Sequence, residues 1–319
     1  MAVALLWVTE TTVMIEINRI LCPIDFSPYS DRALRYAMKM AQCYGAEVHV
    51  LHVMPLLPPA AASPLAECGR QLTARNLASA VARWQVPKVD VTSELIESAD
   101  PAAEILECAE ALDADLIVTG SHGRKGVQRV LLGSTVEPLL HKSRRPVLVI
   151  PAGLDLTRLE HPVTYAHIIC AVDFSAPSLT ALAQARSIAE ENDAHLTLLN
   201  VIEMPPELSD PPPPPAFDIY QVRAAAEAER LTRLRALVPT HARESCTVET
   251  AVLEGGASRQ ILRLAEQQNA DLIVLGVHGR QALDLAIFGS NTKDVVNRAH
   301  CPVLVVPADR RRRVMRVAS

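Results

Sequence analysis

The chain has 319 residues, a formal net charge of -5, 21% charged residues, 49% hydrophobic residues and 3% aromatics. This is the balance of an ordinary globular protein. It excludes a broadly basic nucleic-acid surface, and so few rings exclude a base-stacking platform. Seven cysteines (Cys22, Cys43, Cys68, Cys108, Cys170, Cys246, Cys301) form no Cys-x-x-Cys pair and no Cys/His run. They read as small buried thiols in a reducing compartment, the cytoplasm.

Residues 1–16 read as an N-terminal extension, with Met14 as an alternative start. Its apolar stretch Ala2–Val8 is far too short to span a bilayer and lacks the basic flank of a secretion signal. Ile20–Ile24 is a short apolar run that predicts a buried strand. It ends in Asp25-Phe26-Ser27, after which an Ala/Leu-rich amphipathic stretch, Asp31–Tyr44, predicts a helix with Ser27 as its cap. Val48–Val53 is strand-like, a proline-rich loop Pro55–Pro64 follows, and a helix is expected over Leu65–Trp84. A third strand over Val89–Ile96, a helix over Ala102–Leu112 and a strand over Leu116–Thr119 lead to a glycine-rich loop. A helix over Ser134–Lys142 and a last strand, Val147–Ile150, close the unit.

The same series then repeats. Strands are expected at Ile168–Val172, Leu196–Val201, Thr247–Leu253, Leu272–Leu275 and Val303–Val306, with helices at Leu179–Asn192, Tyr220–Leu237, Ser258–Gln268 and Ser290–Arg298. Ala114–Ala152 and Ala270–Ala308 share 17 of 39 residues without a gap, and Ile17–Leu34 and Tyr165–Leu182 share 8 of 18. The offset grows from 148 to 156, so the second copy carries extra residues, among which the prolines 211–215 are candidates. A period this long marks whole domains rather than solenoid units. The expected limits are 17–151 and 167–307, joined by 152–166 and followed by a basic tail, 308–319. Apolar strands alternating with helices imply a doubly wound α/β domain in each half, with a five-stranded parallel sheet covered on both faces.

Ligands of such sheets bind at the carboxyl ends of the strands, where the strand order reverses. Two motifs fall there in each half. One is the glycine pattern Gly120-Ser-His-Gly123, nine residues, Gly133-Ser134, repeated as Gly276-Val-His-Gly279, nine residues, Gly289-Ser290. Glycine lets backbone N–H groups turn toward a phosphate, and a helix opening at Gly-Ser adds its own free N–H groups. The pattern is neither a Walker loop nor a dinucleotide fingerprint. The alternative is that these glycines serve only a tight strand-to-helix connection. The other motif is Asp25 and Asp173, which either cap their own turns or bond a ribose or adenine. His122 and His278 lie inside the loops without a recognisable carboxylate orienter, so they read as phosphate neighbours or loop stabilisers rather than general bases. Arg124 and Arg280 follow them. No catalytic triad or metal-ligand run is present in the sequence.

With Pro-Ile-Asp-Phe-Ser, Ala-Val-Asp-Phe-Ser, Leu-His-Val at 51–53, Asp-Leu-Ile-Val-x-Gly-x-His-Gly and the closing Pro-Val-Leu-Val, the chain resembles the universal stress protein family over nearly its whole length. The resemblance implies strand order 3-2-1-4-5 in each half and pairing of the halves through their last strands as an intramolecular pseudo-dimer, with a homodimer as a further form. It also implies ATP as the ligand, alone or with Mg²⁺. Carried over by position, Asp25 and Val53 would face ribose and adenine, while Gly120, Gly123, Gly133, Ser134 and Thr135 would hold phosphates and ribose. In the second half the counterparts are Asp173, Val201, Gly276, Gly279, Gly289, Ser290 and Asn291. The departures are Ala99 against Gly255, Asn200 against His52 and Ala171 against Pro23. The implied function is that of a nucleotide-responsive stress protein, with hydrolysis absent or slow. An ATP-using transferase and a scaffold with vestigial loops are the alternatives.

Overall fold

The computed structural model describes residues 17–56, 64–122, 132–154, 163–203, 219–238, 246–277 and 289–307. The first half runs β1 (Arg19–Pro23), α1 (Pro28–Tyr44), β2 (Glu47–Met54), α2 (Pro64–Trp84), β3 (Val91–Glu97), α3 (Pro101–Ala111), β4 (Leu116–Gly120), α4 (Val136–Lys142) and β5 (Val147–Ile150). The second runs β6 (His167–Ala171), α5 (Ala176–Asn192), β7 (His195–Ile202), α6 (Ile219–Ala236), β8 (Thr247–Glu254), α7 (Ala257–Gln267), β9 (Leu272–Gly276), α8 (Ser290–Arg298) and β10 (Val303–Val306). No helix among the described residues is long and apolar enough to cross a membrane. Gly123, His278, Gly279, Arg124, Arg280, the proline run and the basic tail lie outside the described residues.

All ten strands belong to one sheet, in the order β3-β2-β1-β4-β5-β10-β9-β6-β7-β8. Each half is therefore the expected 3-2-1-4-5 arrangement, parallel throughout. The halves meet where β5 and β10 pair antiparallel, Val303 opposite Val149, Leu304 opposite Leu148 and Val305 opposite Val147. All eight residues of these two strands are at most 5% exposed. Burial of such side chains is worth about 1.5–3 kcal/mol each, so neither strand is tolerable as a bare edge.

Side chains alternate across this seam, and two apolar layers run through it. Leu148, Ile150, Leu304 and Val306 join the layer beneath α1, α2, α5 and α6. Val147, Val149, Val303 and Val305 join the layer beneath α3, α4, α7 and α8. Across the seam, the buried Tyr36 hydroxyl donates to that of Tyr165 at 3.0 Å. Lys293 and Glu137, which are equivalent positions of the repeat, form an ion pair at 2.5 Å.

The repeated Asp of Ala-Asp-Leu-Ile-Val explains why β4 and β9 start where they do. Asp115 Oδ2 accepts from the backbone N–H groups of Asn18 and Arg19, both at 2.9 Å. Asp271 Oδ2 accepts from Ala166 and His167 at 2.9 and 3.0 Å. Each carboxylate ties the amino end of the first strand of its half to the fourth.

Two details depart from the sequence reading. The helix expected to open at Ser134 begins at Val136, whereas its counterpart does begin at Ser290. Pro138 has no N–H to donate to the carbonyl of residue 134, so a turn starting at Ser134 is not closed. Its counterpart is Asp294, which carries no such restriction. The second departure is register. Ser98 N–H donates to Met54 O at 2.9 Å and Gly255 N–H to Ile202 O at 3.0 Å, so Ser98, not Ala99, occupies the place of Gly255. The connection to α3 is one residue longer than the connection to α7, and Asp100 there caps α3 by accepting from Ala103 N–H. Gly255 has φ +122°, a backbone region in which a Cβ would be strained. Of the cysteines, Cys43 and Cys68 are exposed and the other five are buried. Cys22 and Cys170 are fully buried strand residues whose thiols desolvation pushes well above their ordinary range.

Gly120 and Gly276 are held by packing. A Cβ on Gly120 would lie 2.7 Å from Tyr29 O, and one on Gly276 would lie 2.8 Å from the backbone of Pro177 and Ser178. The first turns of α1 and α5 lie directly on these strand ends. Gly120→Ala and Gly276→Ala are expected to lower stability by about 1–3 kcal/mol each in urea unfolding, as overpacking does. Gly289→Ala, whose Cβ would meet Thr292 Oγ1 no nearer than 3.5 Å, should cost at most about 1 kcal/mol. Equal midpoints for all three variants would sink this account.

Candidate functional site

In each half β1 or β6 lies between its neighbours, so the strand order reverses there, and its carboxyl end faces the ends of β2 and β4, or β7 and β9. Asp25, Val53 and Gly120 converge at the first reversal, and Asp173, Val201 and Gly276 at the second. Because β5 and β10 run antiparallel, the two convergences open at opposite ends of the sheet.

The Asp-Phe-Ser turns are built alike. Asp25 Oδ1 accepts from Ser27 N–H at 3.0 Å, and Asp173 Oδ1 accepts from Ser175 N–H at 3.0 Å. This closure holds Phe26 and Phe174 at φ 60° and 65°, a region costly for a bulky residue. Ser27 and Ser175 then cap α1 and α5, accepting from Ser30 N–H at 3.2 Å and Ser178 N–H at 3.4 Å. The turn-capping role of the two aspartates is thus present in both halves. Both aspartates are half-buried at the carboxyl ends of their strands.

Beneath each turn lies a buried polar side chain. His52 Nδ1 bonds Ile24 O at 2.7 Å, and Asn200 Nδ2 donates to Val172 O at 2.7 Å. A carbonyl only accepts, so His52 carries its proton on Nδ1. The exchange of His for Asn preserves one bond to the same carbonyl. It changes what else is present: His52 packs against the Phe26 ring at 4.4 Å, while Asn200 Oδ1 is buried without a hydrogen-bond partner.

Val53 and Val201 sit half-buried on the opposite sheet face from His52 and Asn200, packed on the layer beneath α3 and α7. His122 leans on Tyr29, ring centroids 5.4 Å apart, and its Nδ1 lies 2.9 Å from Ser121 Oγ. The hydroxyl, not a carboxylate, orients this ring. Gly133 N–H donates to Ser121 O at 3.3 Å and Gly133 O accepts from Val136 and Glu137, which folds Ser134 and Thr135 into a tight turn ahead of α4.

The second half is organised differently at the equivalent place. Gly289 caps α8 with no side-chain bond, leaving the first N–H groups of that helix without a side-chain cap. Thr292 Oγ1 donates to Gly276 O at 3.3 Å and ties α8 to the strand end. Asn291 bridges outward: its Oδ1 accepts from Ser258 N–H at 3.3 Å and its Nδ2 donates to Glu203 Oε1 at 3.2 Å. Glu203 Oε1 also accepts from Ala257 N–H at 3.3 Å. Glu203 and Asn291 together do for α7 what Asp100 does for α3. Sequence reading missed Glu203; the glycine at the cap of α7, where α3 has Asp100, was the available signal.

Chemically, these crevices offer an acidic rim residue, an aliphatic wall, glycines and helix-end N–H groups. A family model described as the universal stress protein family matches residues 16–151 and 164–307. A universal stress protein of Mycolicibacterium smegmatis is 27% identical over 298 residues, covering 90% of this chain and 96% of that protein. One from Methanocaldococcus jannaschii is 32% identical over 142 residues, 44% of this chain and 82% of that protein. The crystal structure of a universal stress protein from Archaeoglobus fulgidus superposes with a TM-score of 0.66 at 23% identity, covering 92% of this chain and 99% of that one. With two matches to the family model spanning both halves, the chain belongs to the universal stress protein family.

Proposed function

We propose that the protein is a nucleotide-responsive stress protein of the cytoplasm that binds ATP in the crevice of each half and hydrolyses it slowly or not at all. The observation that carries this reading is the duplicated convergence of Asp25, Val53 and Gly120 and of Asp173, Val201 and Gly276 at the two strand-order reversals. Doubly wound sheets bind ligands there. Asp25 and Asp173 would meet the ribose, Val53 and Val201 the adenine. Gly133, Ser134 and Thr135, and Gly289, Ser290 and Asn291, would lie along the phosphates, with Gly123, His122, Gly279 and His278 completing the loops. Mg²⁺ enters as the counter-ion that the triphosphate brings.

Fit is best judged at Gly289. A Cβ there would make only ordinary contacts, at 3.5 Å to Thr292 Oγ1 and 3.6 Å to Val277 O, so the helix end is not filled by its own structure. A helix N-terminus favours an anion by about 0.3–1 kcal/mol per charge when exposed and by up to about 2 kcal/mol when partly buried. The hydroxyl that orients His122 supports holding over hydrolysis, since a general base requires a partner that stabilises its charged form.

Isothermal calorimetry with ATP should give two binding events per chain. No heat and no thermal stabilisation at millimolar ATP would remove the proposal. Gly289→Asp should abolish one event while leaving the melting temperature unchanged or higher, because aspartate is a better helix cap than glycine and a repulsive neighbour for phosphate. Glu203→Gln removes a negative charge bonded to Asn291, and it should tighten the second site by roughly fivefold, the equivalent of about 1 kcal/mol for one charge at about 4 Å in a water-like medium. Unchanged affinity in that variant would show that Glu203 plays no part in setting the difference between the sites.

A further inference from the structure

Away from both crevices, His49 on β2, Glu94 on β3 and Cys108 on α3 bring three ligand-type atoms within 4.8 Å of one another. His49 Nε2 lies 3.4 Å from Glu94 Oε2. On the other side of the ring, His49 Nδ1 bonds Thr92 Oγ1 at 2.8 Å. This is the outer-shell bond that fixes the ring of a metal-binding histidine and presents its other nitrogen. That nitrogen, Nε2, is buried and makes no hydrogen bond of acceptable geometry. A proton on Nε2 would serve Glu94 alone and leave the Cys108 sulfur, buried beside both, without a role.

We propose that His49, Glu94 and Cys108 form a three-ligand site for a borderline-soft divalent cation, with Zn²⁺ the fitting ion and a water completing the tetrahedron. One imidazole, one carboxylate and one thiolate make up a donor set characteristic of zinc. Tetrahedral zinc bonds of about 2.0–2.3 Å place neighbouring ligand atoms about 3.4–3.6 Å apart. The His49–Glu94 separation already has this value. The three ligand atoms lie within 4.8 Å of one another, and rotations of the Cys108 side chain and of Glu94, whose side chain is 51% exposed, close the set. That exposure also opens the fourth position to solvent. Binding takes up the metal and releases the thiol proton to water, so Cys108–SH and M²⁺ give the metal thiolate and H⁺. Because that proton must leave, affinity rises with pH.

The site belongs to one half only. The strand registers place Thr197 where His49 stands and Ala251 where Glu94 stands, and Leu264 takes the place of Cys108 in the matching helix. One metal per chain is therefore expected.

Reduced protein carrying Cys43→Ser and Cys68→Ser, which removes the two exposed thiols, is titrated with Co²⁺ as a spectroscopic stand-in. A thiolate-to-cobalt charge-transfer band should saturate at one equivalent, strengthen from pH 6 to pH 8 and vanish on adding Zn²⁺. Cys108→Ser should abolish the band. Glu94→Gln, at an exposed position that leaves the fold intact, and Thr92→Val should each weaken cobalt binding by about 10–100-fold. A band that survives Cys108→Ser, cobalt binding indifferent to Glu94→Gln, or the absence of any band at pH 8 would overturn the proposal.

Discussion

The antiparallel pairing of β5 with β10 is the contact on which the rest of the molecule depends. Each half ends in a four-residue strand that is buried on both faces yet, within its own half, has a neighbour on one side only. In isolation that strand would present unpaired N–H and C=O groups along an apolar ribbon, the most aggregation-prone element a sheet can have. Pairing the two edges removes the problem for both at once. It also makes both apolar layers continuous from one half into the other. The seam is antiparallel because the halves are related by a rotation, and that rotation sends the two crevices to opposite ends of the sheet. Their separation is therefore a direct consequence of how the exposed edges were covered. Any communication between them must pass through the seam, by way of contacts such as Tyr36 with Tyr165 or Lys293 with Glu137.

Much of this was legible in the sequence, because duplication doubles every weak signal. The strand ends and the Ser27 and Ser175 caps follow from motifs that occur twice, whereas the last-strand pairing was implied by the family resemblance. What was not legible came from single residues acting at close range. Pro138 delays α4 by removing one N–H, an effect invisible to periodicity. The one-residue difference between Ser98-Ala99-Asp100 and Gly255-Gly256 was hidden by extending the downstream offset of 156 to Ala99; the strand pairing and the hydrogen bonds to Met54 and Ile202 fix the register. Gly120 and Gly276 look like members of a phosphate loop in sequence. In space their missing Cβ atoms admit the backbones of Tyr29 and of Pro177 with Ser178, so a packing demand is superimposed on whatever binding role the motif has.

The halves have diverged by exchanging parts while keeping bonds. His52 and Asn200 serve the same carbonyl, and Asp100 is replaced as a helix cap by Glu203 working with Asn291. The first exchange leaves a buried amide oxygen unpaired, a state that costs about 1–3 kcal/mol. The second moves a carboxylate from the loop before a helix to the residue just after β7, beside a residue that would lie along the phosphates. Conservation of the scaffold thus coexists with a change in local charge at the crevice. On the proposed reading, such a change would make the two sites unequal in strength.

The same pattern holds on the face shared by β2 and β7. His49, Leu51 and Val53 point to one side of β2, with His49 about 13 Å behind Val53 at ordinary strand rise. At the position matching His49, Thr197 donates to Gln268 Oε1 at 2.9 Å and so links β7 to the end of α7 by an ordinary hydrogen bond. In the first half the corresponding link would run through a cation held by His49, Glu94 and Cys108. Both arrangements fasten the helix that backs the aliphatic wall of the crevice to the strand that carries it. The difference is that a hydrogen bond is always present, whereas a metal link depends on cation supply and on pH. The wall carrying Val53 would then be conditionally stiffened and that carrying Val201 permanently so. If the cation site forms as proposed, a chain with two crevices would gain from it a means of making one of them answer to its surroundings.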